Sequence, residues 1–189
     1  MKLLIERVKK EGKVIDGHIV QVSSFLNHQV DPRLMYELGK DIAARFKDKN
    51  PTKVVTVETS GVPVAAFTAL ELGVPFIIAK KFESNVRKYD AFYGADVYSY
   101  TKQVTYSVRI SRDYISADDR LLIVDDFLAH GKAVLGILDI IEQAGASLVG
   151  AGICIEKSFQ PGAAELERLG VDVYSQLRIK SLDNGMINI

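Results

Sequence analysis

Leu121-Leu122-Ile123-Val124-Asp125-Asp126-Phe127-Leu128-Ala129-His130-Gly131-Lys132-Ala133 is the stretch whose reading decides the fold. Four consecutive apolar residues, Leu121 to Val124, read as a strand buried on both faces, as in a parallel sheet covered by helices. Two adjacent carboxylates, Asp125 and Asp126, follow it. A short loop with one glycine, Gly131, comes next, and then a helix-like run from Ala133 to Ala144. In open α/β sheets, ligands bind at the carboxyl ends of strands. A loop that opens a helix there offers free backbone N–H groups and a positive dipole end to a phosphate. Two acids just before it suit sugar hydroxyls or a hydrated metal ion. Ribose and phosphate, side by side, are the ligand this pattern predicts. Aspartates also end strands as turn formers, which accounts for one of the pair more easily than for both. Gly131-Lys132 is not a P-loop: the upstream glycine is missing, and Ala133 has no hydroxyl for magnesium.

Working outward, two more strand ends carry related chemistry. Val54 to Val57 reads as a strand running into Glu58-Thr59-Ser60-Gly61, and Val62 to Leu72 as a helix ended by Gly73. Thr59, Ser60 and Gly61 could aim hydroxyls and backbone N–H groups at a diphosphate; an ordinary strand-to-helix turn explains them equally well. Phe76 to Ala79 is the next strand, ending in Lys80-Lys81, which would neutralise the same diphosphate or simply be solvated. Strand, helix, strand in this order implies right-handed crossovers and an α/β fold with a mostly parallel central sheet flanked by helices. Further strands are predicted at 148–155 and 171–177, with a short helix over 161–169 between them.

Upstream, residues 2–11 read as an amphipathic helix and 14–22 as one extended segment. Asp31-Pro32 starts a helix that carries Leu34, Leu38, Ile42 and Phe46 at helical spacing. Residues 82–118 are polar and rich in tyrosine: Tyr89, Tyr93, Tyr98, Tyr100, Tyr106 and Tyr114. Segments 97–100 and 104–108 are predicted to pair as a hairpin, either a flexible lid or a decoration of the sheet edge. The tail holds a turn at Asp183-Asn184-Gly185.

A chain of 189 residues with 48% hydrophobic content predicts one domain, residues 1–189, with a sizeable core. Formal net charge is +0, which argues against a dedicated nucleic-acid binder. The lone Cys154 sits in an apolar run and reads as a small core residue. The N-terminus lacks a signal-peptide pattern, and no apolar run reaches membrane length, so a cytoplasmic, non-membrane location is expected. Asn27 and Lys157 are candidates for reading a heterocyclic base, with donors and an acceptor suited to ring oxygens and nitrogens. Asn27 also reads as a cap or turn residue, Lys157 as a solvated one. Phe127 could stack on a ring or belong to the core.

The Asp125–Ala133 pattern resembles the phosphoribosyl diphosphate (PRPP) motif of type I phosphoribosyltransferases. Ser24 to Gln29, Glu58 to Gly61, Asp125 to Ala129 and Glu156 to Gly162 together resemble the xanthine-using branch of Gram-positive bacterial type, nearly end to end. The resemblance implies that Asp125 and Asp126 meet the ribose hydroxyls. It implies that Ala129, His130, Gly131, Lys132 and Ala133 cradle the 5′-phosphate, and that Val20, Asn27 and Lys157 contact the purine. It implies magnesium carried by the diphosphate, with no direct protein ligand. A base-binding hood would form from residues 1–30 and the segment after about 156. A homodimer is expected, and small-molecule substrates rather than nucleic acid. The phosphate loop departs from the branch's usual Ala-Asn-Gly-Gln-Ala, and Val20 stands where leucine is common. Another purine phosphoribosyltransferase, or a PRPP-sensing regulator on the same fold, stands as the alternative.

Overall fold

The computed structural model describes residues 1–83, 91–99 and 104–189. In chain order it holds α1 (Lys2–Glu11), β1 (Lys13–Ile15), β2 (Ile19–Gln21), α2 (Pro32–Phe46), β3 (Lys53–Val57), α3 (Val62–Leu72), β4 (Phe76–Glu83), β5 (Phe92–Ser99), β6 (Val104–Ser111), β7 (Arg120–Leu128), α4 (Lys132–Ala144), β8 (Ser147–Lys157), α5 (Gly162–Arg168) and β9 (Val173–Ile179). A π-helical turn at Ser23–Asn27 precedes α2.

The central sheet has seven strands in the order β5-β6-β4-β3-β7-β8-β9. The run β4-β3-β7-β8-β9 is parallel, and β6 and β5 add an antiparallel edge beyond β4. Helices cover both faces, so the strands are apolar on both sides. Along β7, Leu122 and Val124 join the core with α1, α2 and α3, which includes Leu4, Leu38, Phe46 and Ala65. Leu121 and Ile123 join the core under α4, with Val134, Ile137 and Ile140. Period-two alternation in a strand covered on both sides is what a run such as Leu-Leu-Ile-Val allows.

Local chemistry sets several boundaries. The Asp31 carboxylate accepts from the N–H groups of Arg33 and Leu34, capping α2, and Pro32 begins it. Gly73, with φ +69°, ends α3 in the left-handed region.

The structure differs from the sequence reading in four places. First, β7 does not stop at Val124: it runs through the acids to Leu128, paired with β8 as far as Leu128–Glu156. A parallel neighbour supplies hydrogen bonds that the acids' own propensity would not favour. Second, residues 14–22 are not one extended segment. Asp16 and Gly17, with φ of +51° and +71°, fold them into the β1–β2 hairpin. Third, the tyrosine-rich hairpin is longer than 97–108, spanning 92–99 and 104–111. Its base is a sheet edge clamped under α4: an added Cβ on Gly136 would lie 2.6 Å from Val97 Cγ2. Tyr89, Tyr100 and the hairpin tip lie outside the described residues, and the lid reading with them. Fourth, β9 runs over 173–179 rather than 171–177, in register with β8 from Ala151 to Lys157.

Candidate active site

The carboxyl ends of β3, β4 and β7 lie side by side in the sheet, and this adjacency gathers the predicted pieces. The Asp126 side chain is buried, at 8% exposure. Its backbone N–H donates to Asp125 Oδ1 at 2.9 Å, and Asn27 Nδ2 donates to Asp126 Oδ2 at 3.3 Å. The π-helical turn thus brings Asn27 across to the acid pair. Burial raises the pKa of both carboxyls, and repulsion from Asp126 adds to the rise of Asp125. Lys81 works the other way, favouring ionised Asp125.

The Glu58–Gly61 loop presses on the same acids. A Cβ on Gly61 would sit 2.6 Å from Asp125 Oδ1 and 2.4 Å from Thr56 Oγ1, so only glycine fits. Thr59 is exposed and Ser60 half-buried at the mouth of this loop. Lys80 and Lys81 emerge exposed from β4 next door. Glu58 ties the two strand ends together: its carboxylate accepts from the Lys81 N–H, and Lys80 Nζ lies 3.4 Å away.

The loop 129–133 opens α4. Gly131 takes φ +72°, the left-handed N-terminal position of the helix. The loop lines a cleft of about 190 Å³ together with Phe127, Val97, Tyr98 and Tyr106. Lys132 Nζ lies 3.7 Å from Glu165 of α5, so this cation is shared with a neighbouring carboxylate.

Lys157, at the end of β8, is half-buried, and burial lowers its pKa. Its ammonium donates to the His18 carbonyl at 3.2 Å, joining the β1–β2 hairpin to the end of β8. Val20 is buried, at 7% exposure, in the same core on which Phe127 packs. Val20 thus packs as a core side chain, and Phe127 touches both that core and the cleft. Cys154 is fully buried, as expected.

Two residues at the cleft were not singled out from sequence. Gly162 packs directly against the 129–133 loop: its N–H donates to the Ala129 carbonyl at 3.0 Å, and a Cβ there would be 2.6 Å from Gly131 N. Pro161-Gly162 carried only a helix-start signal. Tyr106 was one tyrosine among several, with nothing to separate it from the rest until the register of β6 was known.

The arrangement gathers a carboxylate pair and a lysine-rich strand end at the carboxyl edge of the sheet, next to a helix-opening loop that lines a cleft. A model of the phosphoribosyl transferase domain matches residues 29–165. The chain belongs to the phosphoribosyltransferase family. Among similar proteins, the xanthine phosphoribosyltransferase of Bacillus cereus (strain G9842) is 52% identical over 187 residues, covering 99% of this chain and 94% of that relative. The xanthine phosphoribosyltransferase of Bacillus mycoides (strain KBAB4) is 51% identical with the same coverage. Among solved structures, the adenine phosphoribosyltransferase of Giardia lamblia complexed with 9-deazaadenine superposes with a TM-score of 0.76 at 21% identity, over 93% of this chain and 97% of that one. That of Rhodothermus marinus gives 0.74 at 22%, over 95% and 100%. At such identities the structural likeness is one of fold. No helix among the described residues of this phosphoribosyltransferase is long and apolar enough to cross a membrane.

Proposed function

We propose that this chain transfers the 5-phosphoribosyl group from PRPP to xanthine, giving xanthosine 5′-monophosphate and diphosphate, as a purine-salvage enzyme of the cytoplasm. The observation that carries the reading is the mutual contact of three strand ends: Asp125 and Asp126, the Glu58–Gly61 loop, and Lys80-Lys81. The near full-length identity to xanthine phosphoribosyltransferases supports the choice of base.

In this reading the 5′-phosphate rests on the N–H groups of the 129–133 loop at the start of α4, where the helix dipole favours an anion. Asp125 and Asp126 accept the ribose hydroxyls. Thr59, Ser60, Gly61, Lys80 and Lys81 hold the diphosphate. The C1–O bond to diphosphate breaks as the purine nitrogen approaches, and positive charge develops on the ribose ring. The acid pair below the ring stabilises that charge, and the lysines stabilise the departing one, so the acceleration comes from fixed positioning and electrostatics. Among the described residues no group of three or more His, Cys, Asp or Glu could hold a metal ion. Magnesium carried on the diphosphate, its shell filled by phosphate oxygens and water with no direct protein ligand, is compatible with that. Bound there, magnesium would neutralise the leaving diphosphate.

Lys157 and Asn27 would read the base, with Phe127 against its face and Val20 behind. The β1–β2 hairpin, held by the Lys157–His18 contact, would form the hood. Ala129 supplies no carboxylate to take the purine proton. Xanthine is the more acidic purine and needs less help, which favours it over hypoxanthine. The homodimer expected from the resemblance is read by light scattering of the purified chain.

The test is initial rates with PRPP and magnesium, offering xanthine, hypoxanthine, guanine and adenine in parallel. A clear preference for xanthine is expected. Preference for another base overturns the assignment of the base readers. PRPP binding without turnover of any base favours a sensor over an enzyme.

A further inference from the structure

Nothing in the reaction above uses the tyrosines of the edge hairpin, yet two of them, Tyr98 and Tyr106, line the cleft. Tyr106 is half-buried on β6 and lines the same cleft as the 129–133 loop. In the β4–β6 register, Lys81 pairs with Val108 and Glu83 with Tyr106. Side chains alternate along a strand, so Val108 and Tyr106 share one face. It is the face of α4, because Val108 Cγ2 lies 3.2 Å from where a Gly136 Cβ would be. The amino end of α4 carries the phosphate loop. Lys81 is on this face too, and its Nζ lies 5.1 Å from the centre of the Tyr106 ring, within cation–π range.

The two lysines of the β4 end are therefore held by different means. Lys80 lies 3.4 Å from the Glu58 carboxylate, which neutralises it. Lys81 lies over an uncharged ring. A ring quadrupole orients an ammonium without cancelling its charge, so Lys81 is directed and remains able to meet an anion. Two other cations sit over rings of this hairpin region: Arg109 over Phe82 at 5.0 Å and Arg112 over Tyr93 at 4.3 Å. Neither ring lines the cleft.

We propose that Tyr106 is a positioning residue for transfer: its ring holds the Lys81 ammonium in place at the end of β4, where it meets the diphosphate of the phosphoribosyl donor. This rests on the reading of the acid pair and the 129–133 loop as the donor site. Lys81 favours ionised Asp125, as an ammonium directed toward the acid pair would. A free lysine, with its flexible stem, would have to be ordered at each binding event; the ring does part of that ordering beforehand.

The experiment compares Tyr106→Leu, Tyr106→Phe, Lys81→Met and the double variant Tyr106→Leu/Lys81→Met. It reads KM for PRPP, kcat and, by calorimetry, direct PRPP binding. Tyr106→Leu is expected to raise KM for PRPP roughly three- to tenfold, with a smaller change in kcat. Tyr106→Phe keeps the ring face and recovers most of that loss. In the Lys81→Met background, loss of the ring adds less than about twofold, because its cargo is gone. Wild-type KM in Tyr106→Leu overturns the proposal. So does a Phe variant as impaired as Leu, which would make the hydroxyl the active part, and so does full additivity in the double variant. If no purine is turned over by the wild-type chain, the reaction assignment fails by itself; calorimetry still decides whether Tyr106 and Lys81 act together on PRPP.

Discussion

Gly162→Ala tests the proposed phosphate-binding role of the 129–133 loop. Gly162 opens α5, and an ideal Cβ on it would meet the Ala129 carbonyl oxygen at 2.4 Å, Gly131 N at 2.6 Å and His130 C at 2.8 Å. All three are backbone atoms, so no side-chain rotation relieves the overlap. Ordinary contact begins near 3.4 Å, so the Ala129 carbonyl must withdraw by about 1.0 Å (3.4 − 2.4). The Gly162 N–H to Ala129 carbonyl hydrogen bond of 3.0 Å is strained by the same movement. Overpacking of this kind costs ~1–3 kcal/mol. For a domain of this size that is a fall of roughly 2–12 °C in melting temperature. The functional effect is larger, since a displacement of ~1 Å in a positioning loop can cost about 100-fold. KM for PRPP should rise at least tenfold in initial-rate assays, with KM for xanthine changed much less. A well-folded variant with KM for PRPP within twofold of wild type would refute both the role of the 129–133 loop and the part of Gly162 beneath it.

Three further outcomes follow from the charges. Burial raises the pKa of Asp125 and Asp126, so between the ordinary carboxylate value and the raised one the folded state holds protons the unfolded chain has lost; stability from this pair falls as pH rises through that window. Asp125→Asn and Asp126→Asn should each lose ~10-fold or more in turnover while melting higher than wild type at pH 8, with the gap closing toward pH 4; lower melting at every pH would contradict this. Lys157→Met removes a donor from the base site and releases the His18 carbonyl, and KM for xanthine should rise roughly tenfold or more; an equal loss of PRPP affinity would show that Lys157 does not read the base. Asp119, 6% exposed, accepts from Lys53 at 2.7 Å, Thr52 at 2.9 Å and the Ser116 N–H at 2.8 Å, so Asp119→Ala should cost about 3 kcal/mol in urea unfolding without changing the base preference, and a loss under ~0.5 kcal/mol would mean the cluster is merely a surface one.

The parts of the fold legible in the sequence were those decided locally. Asp31-Pro32 and Gly73 bound their helices as their chemistry dictates. The apolar run 121–124 announced a strand covered on both faces. Where the sequence misled, a distant partner made the decision. Two aspartates look like the end of a strand, and only pairing with β8 carries β7 on to Leu128. The fold at Asp16-Gly17 is a different case: that dipeptide is a hairpin signal in its own right, and reading 14–22 as one segment passed over it. In the site, residues consecutive in the chain were visible as motifs, whereas Gly162 and Tyr106 come to the 129–133 loop and its cleft only through α5 and β6. No spacing along the chain encodes a 2.6 Å approach between Gly162 and Gly131.

The charge arrangement also explains how this loop can depart from the usual pattern and still suit a phosphate. Lys132 does not add a free positive charge, because Glu165 shares it at 3.7 Å. Glu165 lies on α5, the helix whose first residue, Gly162, packs against the loop. The pair therefore fastens loop to helix as well as balancing charge. A half-exposed ion pair of this kind is worth little in itself, so an arriving 5′-phosphate can draw Lys132 away at small cost. The same logic recurs at β4, where Glu58 balances Lys80 while Lys81 stays available over Tyr106. At both proposed anion positions one part of the cationic charge is stored against a carboxylate and another is left to geometry: backbone N–H groups at α4, an aromatic ring at β4. A cleft built this way avoids strong self-repulsion between its lysines before substrate arrives, and it concentrates positive charge only where the anion's own contacts compensate for it.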